Sequence, residues 1–178
     1  MFPSEHLTLL SDQSPTSGVT VTFAAIPQTY DDLLIKIIAG RSDKASGNND
    51  VLLYYNNDTT AAHYWYTWIR TLATTFSGNE ANTANIFRIA GQNIQAPSFG
   101  NIWIPRYADS GVSLQQARCE GVIDFKTSFT AGALHTWQVF THMWNSTAAV
   151  TEIDLTLNSD AWVTPSRVLL YGVSYERP

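Results

Sequence analysis

At 178 residues the chain has the length of one domain able to bury roughly 70% of its unfolded surface. Ten Lys and Arg stand against fifteen Asp and Glu, a formal charge of −5 without any basic cluster, which argues against nucleic acid or an anionic membrane as partner. Charged residues make up only 14%, against a usual share of about 25%, while 44% are hydrophobic and 12% aromatic; so little charge points to an assembly.

The N-terminal run MFPSEHLTLL has no basic region followed by a long apolar one, so no secretion signal is expected. No stretch approaches eighteen apolar residues, and the sequence reads as complete, made in the cytoplasm and soluble. The lone cysteine, Cys119, lies in an alternating run and reads as a buried free thiol.

In chain order, Ser14–Gly18 is a loop and Val19–Phe23 a short alternating strand. Ile26–Asp31 connects to Leu33–Ala39 (LLIKIIA), whose nearly unbroken apolar run predicts a central strand covered on both faces. Gly40–Asp50 reads as a mobile polar loop, Val51–Tyr55 as a strand and Asn56–Asp58 as a turn. His63–Leu72 (HYWYTWIRTL) is the densest aromatic segment. Tyr64, Tyr66 and Trp68 share one strand face, with His63, Trp65, Thr67 and Ile69 on the other. Residues 73–85 have loop composition; Ile86–Ile89 is a short strand, with a turn at Gly91–Asn93. Phe99–Tyr107 follows, with Trp103 on one face and Pro105 arguing for an edge or bulge. After a turn at Asp109–Gly111, Gln116–Lys126 is a long strand and Ser128–Gly132 a loop.

Residues 135–157 read as a hairpin around the polar turn Asn145-Ser146-Thr147. Ile153, Leu155 and Leu157 alternate with Glu152, Asp154 and Thr156, predicting one buried and one solvated face. The first half is apolar on both faces: Trp137, Val139 and Met143 on one, Phe140 and Trp144 on the other with Gln138 and His142. The second face is expected to be covered by the opposing sheet's edge or a neighbouring subunit. Asn158–Asp160 turns, and Arg167–Tyr175 (RVLLYGVSY) closes a single domain spanning residues 1–178. The sum is an all-β, antiparallel β-sandwich of jelly-roll type, about 8–10 strands by turn spacing, with little or no helix.

Residues able to carry chemistry are few. His6, His63, His135 and His142 lack metal-motif spacing. Glu120 and Asp124 would sit roughly 13 Å apart on a strand, beyond the about 5–9.5 Å of glycosidase pairs. Glu152 and Asp154, about 7 Å apart, fit the pattern of a solvated strand face. No nucleophile elbow or glycine-rich phosphate loop occurs. Asn57-Asp58-Thr59 and Asn145-Ser146-Thr147 match the glycosylation pattern but, without a secretion signal, read as turns. No cofactor, no metal and no enzymatic activity are expected.

Three runs carry a resemblance. VTFAAIPQTYDDLLIKI near the N-terminus, FGNIWIPRYA in the middle, and MWNSTAAVTEIDLTL with the closing LLYGV resemble, in the same order, a family of small phage virion proteins. These are jelly-roll tail, head-fibre or capsid-decoration subunits. The resemblance implies a virion structural protein without catalytic residues, a capsid decoration (cement) subunit that binds the major capsid protein through apolar faces. It also implies a homotrimer, localised to the virion. The alternative is a receptor-binding tail or fibre head holding host glycans on Tyr64, Tyr66, Trp68 and Trp103; an enzyme acting on polysaccharide ranks last. Tyr64, Tyr66, Trp68, Trp103, Phe140, His142 and Trp144 are the candidate interface or glycan-stacking residues. The aromatic segment 63–72 is richer than the family pattern, so no ligand assignment extends to it.

Overall fold

The computed structural model describes residues 5–45, 48–72, 75–90, 98–111, 114–124 and 135–176. Two antiparallel sheets form a β-sandwich. The larger runs in the order β1 (Glu5–Gln13), β12 (Arg167–Tyr175), β3 (Asp32–Gly40), β8 (Ser98–Pro105), β9 (Gln115–Asp124), β10 (His135–Trp144), β5 (Tyr64–Leu72) and β6 (Thr75–Ala81). The smaller runs β2 (Thr20–Phe23), β11 (Ile153–Leu157), β4 (Asn48–Tyr55) and β7 (Asn85–Ala90). Its only helical element among the described residues is a short 3-10 turn at Ala61–His63.

The twelve strands among the described residues exceed the expected count because both edges of the larger sheet are illegible in the sequence. β1 pairs only with β12 and leaves Leu7 and Leu9 about half exposed, so no dry face marks it in the sequence. β6 (TFSGNEA) pairs only with β5 and is polar, as an edge strand can be. The central strand β3 lies between β12 and β8 with Leu33, Leu34, Ile35 and Ile37 all buried. The predicted loop Gly40–Asp50 is shorter and better anchored than expected: Ser42 bridges to Trp162, and Ser42 and Asn49 are fully buried. Pro105 does not mark an edge. It ends the interior strand β8, opposite Asp32, where its missing N–H falls at the strand's last position. The turns expected at Gly91–Asn93 and Ser128–Gly132 lie outside the described residues.

The expected hairpin at 135–157 is a crossover. β10 pairs with β5 and β9 in the larger sheet, β11 with β2 and β4 in the smaller. The link between them is clipped by Asn56, whose Nδ2 donates to the Ala149 carbonyl at 2.8 Å while its Oδ1 accepts from the N–H groups of Thr151 and Glu152 at 2.8 and 3.1 Å. Asn56 and Asn57 both have positive φ (51° and 60°), closed by Asp58 N–H to Tyr55 C=O at 2.9 Å. That is the left-handed pair of a type I′ turn, for which Asn is well suited.

The core lies between the sheets, from Ile35, Ile102, Val168 and Leu170 on one side to Val51, Leu53, Ile86, Ile153 and Leu155 on the other, all essentially inaccessible. Each such side chain contributes about 1.5–3 kcal/mol through burial. The three sequence runs meet at one end of this core. The Tyr107 hydroxyl donates to the Pro27 carbonyl, Val150 N–H donates to the Tyr107 carbonyl at 2.8 Å, and Gln28 Nε2 donates to Val150 O at 2.9 Å. Tyr30 lies against Gly172 of the closing run. Tyr30, Gln28, Tyr107, Val150 and Gly172 are therefore joints of the fold.

Candidate functional site

The structure distributes the seven candidate side chains over three places. Tyr64, His142 and Trp144 enter a closed cluster under the opposing sheet. Their exposures are 0, 0 and 3%, and Tyr55 of β4 packs on His142 and Trp144 with ring centroids 5.7 and 5.3 Å away. Tyr64 stacks on His142 at 5.3 Å. Burial lowers the His142 pKa to about 3, keeping the imidazole neutral; neither ring nitrogen has a hydrogen-bond partner, nor has the Tyr55 hydroxyl.

Asp58, read from sequence only as a turn residue, fastens this cluster. Its Oδ2 accepts from Trp144 Nε1 at 2.8 Å and bonds His63 Nδ1 at 2.7 Å, while Oδ1 accepts from Thr60 N–H at 3.0 Å. Its backbone carbonyl accepts from the Tyr64 hydroxyl at 2.7 Å. Partial burial by itself raises the Asp58 pKa, but the hydrogen bonds from Trp144, His63 and Thr60 outweigh it and bring the carboxyl down to about 2.

Tyr66, Trp68 and Phe140 line a separate cleft of about 240 Å³. Its origin is the mismatch between sheets: β7, the edge of the smaller, lies over β9 and β10, and β5 and β6 extend the larger sheet past it. The inward side chains there face the β4–β7 edge. Asp50, Arg70, Asn79, Asn85, Arg88 and Gln138 complete the lining. Arg88 Nε pairs with Asp50 Oδ1 at 2.6 Å. Arg70 lies over the Trp68 ring, its guanidinium carbon 4.6 Å from the centroid, and Nε points to Ser77 Oγ at 3.4 Å. Burial, then the neighbouring Arg88 charge, lower the Arg70 pKa.

Trp103 is on the opposite face of the larger sheet, half-buried between Leu34 and Arg118 in register. Tyr64, Tyr66, Trp68 and Trp103 therefore share no single groove. On this outer face a row of apolar side chains crosses the strands. Phe99 of β8 pairs with Val122 of β9, and Val122 with Trp137 of β10; their exposures are 51, 42 and 44%. The row continues past Thr71 of β5 to Phe76 of β6, 73% exposed. Ile69 (54%) lies beside it on β5, in register with Val139, and Trp65 (37%) lies farther along the same face, in register with Met143.

Of the carboxylate pairs read from sequence, neither is seen as a facing pair among the described residues. Asp154, expected on a solvated face, is 8% exposed and accepts from Thr22 Oγ1 at 2.5 Å, because β11 is flanked on both sides by β2 and β4. The Asp124 side chain is outside the described residues. Cys119 is buried and free, its thiol pKa pushed up by burial. Among the described residues no three metal-ligating side chains converge. Sequence reasoning missed Asp58 in the closed cluster and, in the cleft, Arg70, Arg88 and Gln138, which β5, β7 and β10 bring together with no local motif to mark them. Comparison with protein-family models, with curated proteins and with solved structures returned no match, so the fold and the geometry above are the grounds for any assignment.

Proposed function

We propose that this chain is a structural subunit of a bacteriophage virion, a capsid decoration protein that binds the assembled shell through the outer face of its larger sheet. The observation that carries the reading is the exposed row Phe99–Val122–Trp137–Phe76 with Ile69 beside it. An exposed apolar band running across adjacent strands is the surface expected of a protein–protein interface. The strand order supports the same reading. With β5, β6, β9 and β10 set aside, the order β1-β12-β3-β8 facing β2-β11-β4-β7 fits a jelly roll. The three runs resembling phage virion proteins lie at the joints of that arrangement. The partner in this reading is the major capsid protein, and the subunit acts as a homotrimer. Because it binds only assembled shell, mass action stabilises the shell.

Val122→Glu tests the interface. The side chain is exposed, so the stability of the isolated protein should change by less than about 0.5 kcal/mol. Co-sedimentation with undecorated shells should nevertheless weaken by about tenfold or more. Unchanged sedimentation of both Val122→Glu and Trp137→Ala would remove this face from the interface. Light scattering of the purified protein should give the mass of a trimer; a clean monomer at high concentration would contradict self-association.

A further inference from the structure

We infer that the cleft bounded by β10, β5 and β6 on one side and the β4–β7 edge on the other is a binding site for an acidic saccharide, with Arg70 taking the carboxylate and Gln138 Oε1 accepting from an adjacent hydroxyl. The site is distinct from the outer face and does not depend on where the protein sits in a particle.

Three observations lead there. First, the two arginines of the cleft differ. Arg88 has its counter-ion in Asp50, whereas Arg70 has no carboxylate within ion-pair distance among the described residues. Arg70 + Arg88 − Asp50 leaves the lining one positive charge in excess. Secondly, Arg70 is pre-oriented. The guanidinium carbon rests 4.6 Å from the Trp68 ring centroid and Nε donates to Ser77, which leaves the terminal nitrogens for a bidentate, planar anion. The same stacking covers a face of Trp68, so recognition rests on the guanidinium and not on a sugar ring lying over the indole. Thirdly, Gln138 is fully buried and lines the cleft. Its Nε2 donates to the Arg88 carbonyl at 3.1 Å, which sets the amide's orientation, and its Oε1 has no partner. A buried acceptor without a donor is unfavourable until a donor reaches it.

These requirements select a class. Inorganic phosphate meets Arg70 and carries a P–OH donor, but it fills only a small part of a cleft of about 240 Å³. A neutral sugar brings hydroxyl donors but leaves Arg70 uncompensated. A sugar acid, uronate or sialate, carries a carboxylate and neighbouring hydroxyls on one ring and meets both. Asn79 and Asn85 add amide groups to the lining. With about 240 Å³, below the about 300–1,000 Å³ of drug-sized sites, the cleft takes one residue of a longer glycan.

The test is a titration of the isotope-labelled full chain with a panel of uronate- and sialate-terminated trisaccharides, their neutral counterparts and inorganic phosphate. Acidic members should shift the Gln138 side-chain amide and Trp68 indole signals at millimolar concentration, with neutral counterparts and phosphate weaker by about tenfold. Arg70→Met, which keeps the packing on Trp68, should lose about tenfold or more. Arg70→Lys, which keeps the charge but not the fork, should fall between. Binding of neutral sugar or phosphate as tight as that of every acidic member would overturn the proposal. So would the absence of any shift with the whole acidic panel, or wild-type affinity in both Arg70 variants.

Discussion

Gly172→Ala is expected to destabilise the sandwich by about 3 kcal/mol, a large loss for one methyl group. A Cβ at this position would stand 2.4–2.6 Å from Cγ, Cδ1 and Cδ2 of Tyr30, well inside van der Waals contact. Those atoms are the base of the ring and cannot swing aside as a flexible tip would. Tyr30 must leave its place, and it belongs to the segment that also supplies Pro27 and Gln28 to the joint with Tyr107 and Val150. A double-mutant cycle isolates the cause. Tyr30→Ala should itself be destabilising, but adding Gly172→Ala to it should cost little, for a coupling of about 1–3 kcal/mol by urea denaturation. Additive losses would show that the two positions do not touch.

The second large effect centres on Asp58. Asp58→Ala removes the acceptor for Trp144 Nε1, His63 Nδ1 and Thr60 N–H together and should cost about 3 kcal/mol, most of it from the buried indole N–H left unpaired. Its pH dependence has a definite sign. The folded pKa of about 2 lies below an unfolded value of about 3.9, so the contribution is present above about pH 4 and lost as pH falls toward 2. His142 acts in a different window. With a folded pKa of about 3 against about 6.5 unfolded, protonation favours the unfolded chain from about pH 6.5 downward. Wild-type stability should therefore decline below pH 6.5, by up to about 1.4 kcal/mol per pH unit, and about twice as steeply between pH 4 and 3, where both groups titrate. His142→Phe should flatten the first segment and Asp58→Asn the second, measured by thermal unfolding across pH. A wild-type curve flat from pH 7 to 5 would contradict the buried, neutral assignment of His142.

These residues also show where sequence reading stops. Period-2 alternation and turn spacing give the all-β class because each strand records its own burial. The strand 33–39 was legible for the same reason, with apolar residues on both faces of an interior strand. What alternation cannot record is the partner. Residues 135–144 and 153–157 are neighbours in sequence joined by turn-forming residues, yet Asn56 holds their link across to the other sheet. β10 is apolar on both faces for two unrelated reasons: its even-numbered side chains meet Tyr55 and Tyr64, while Trp137 is left exposed. Residue type alone does not separate those cases. Edge strands such as β6 carry no dry face to detect. The cleft is invisible for a further reason: Arg70, Arg88 and Gln138 are brought together by the unequal widths of two sheets, a property of topology and not of any segment.

The outer face of the larger sheet is the centre of the account, since it assigns a purpose to side chains that folding leaves in water. Cryo-electron microscopy of the intact virion tests it most directly. The proposal predicts copies of this sandwich distributed over the shell, with Phe99, Val122 and Trp137 covered by capsid protein. Copies confined to the tail, or shell-bound copies with that face turned to solvent, would contradict it.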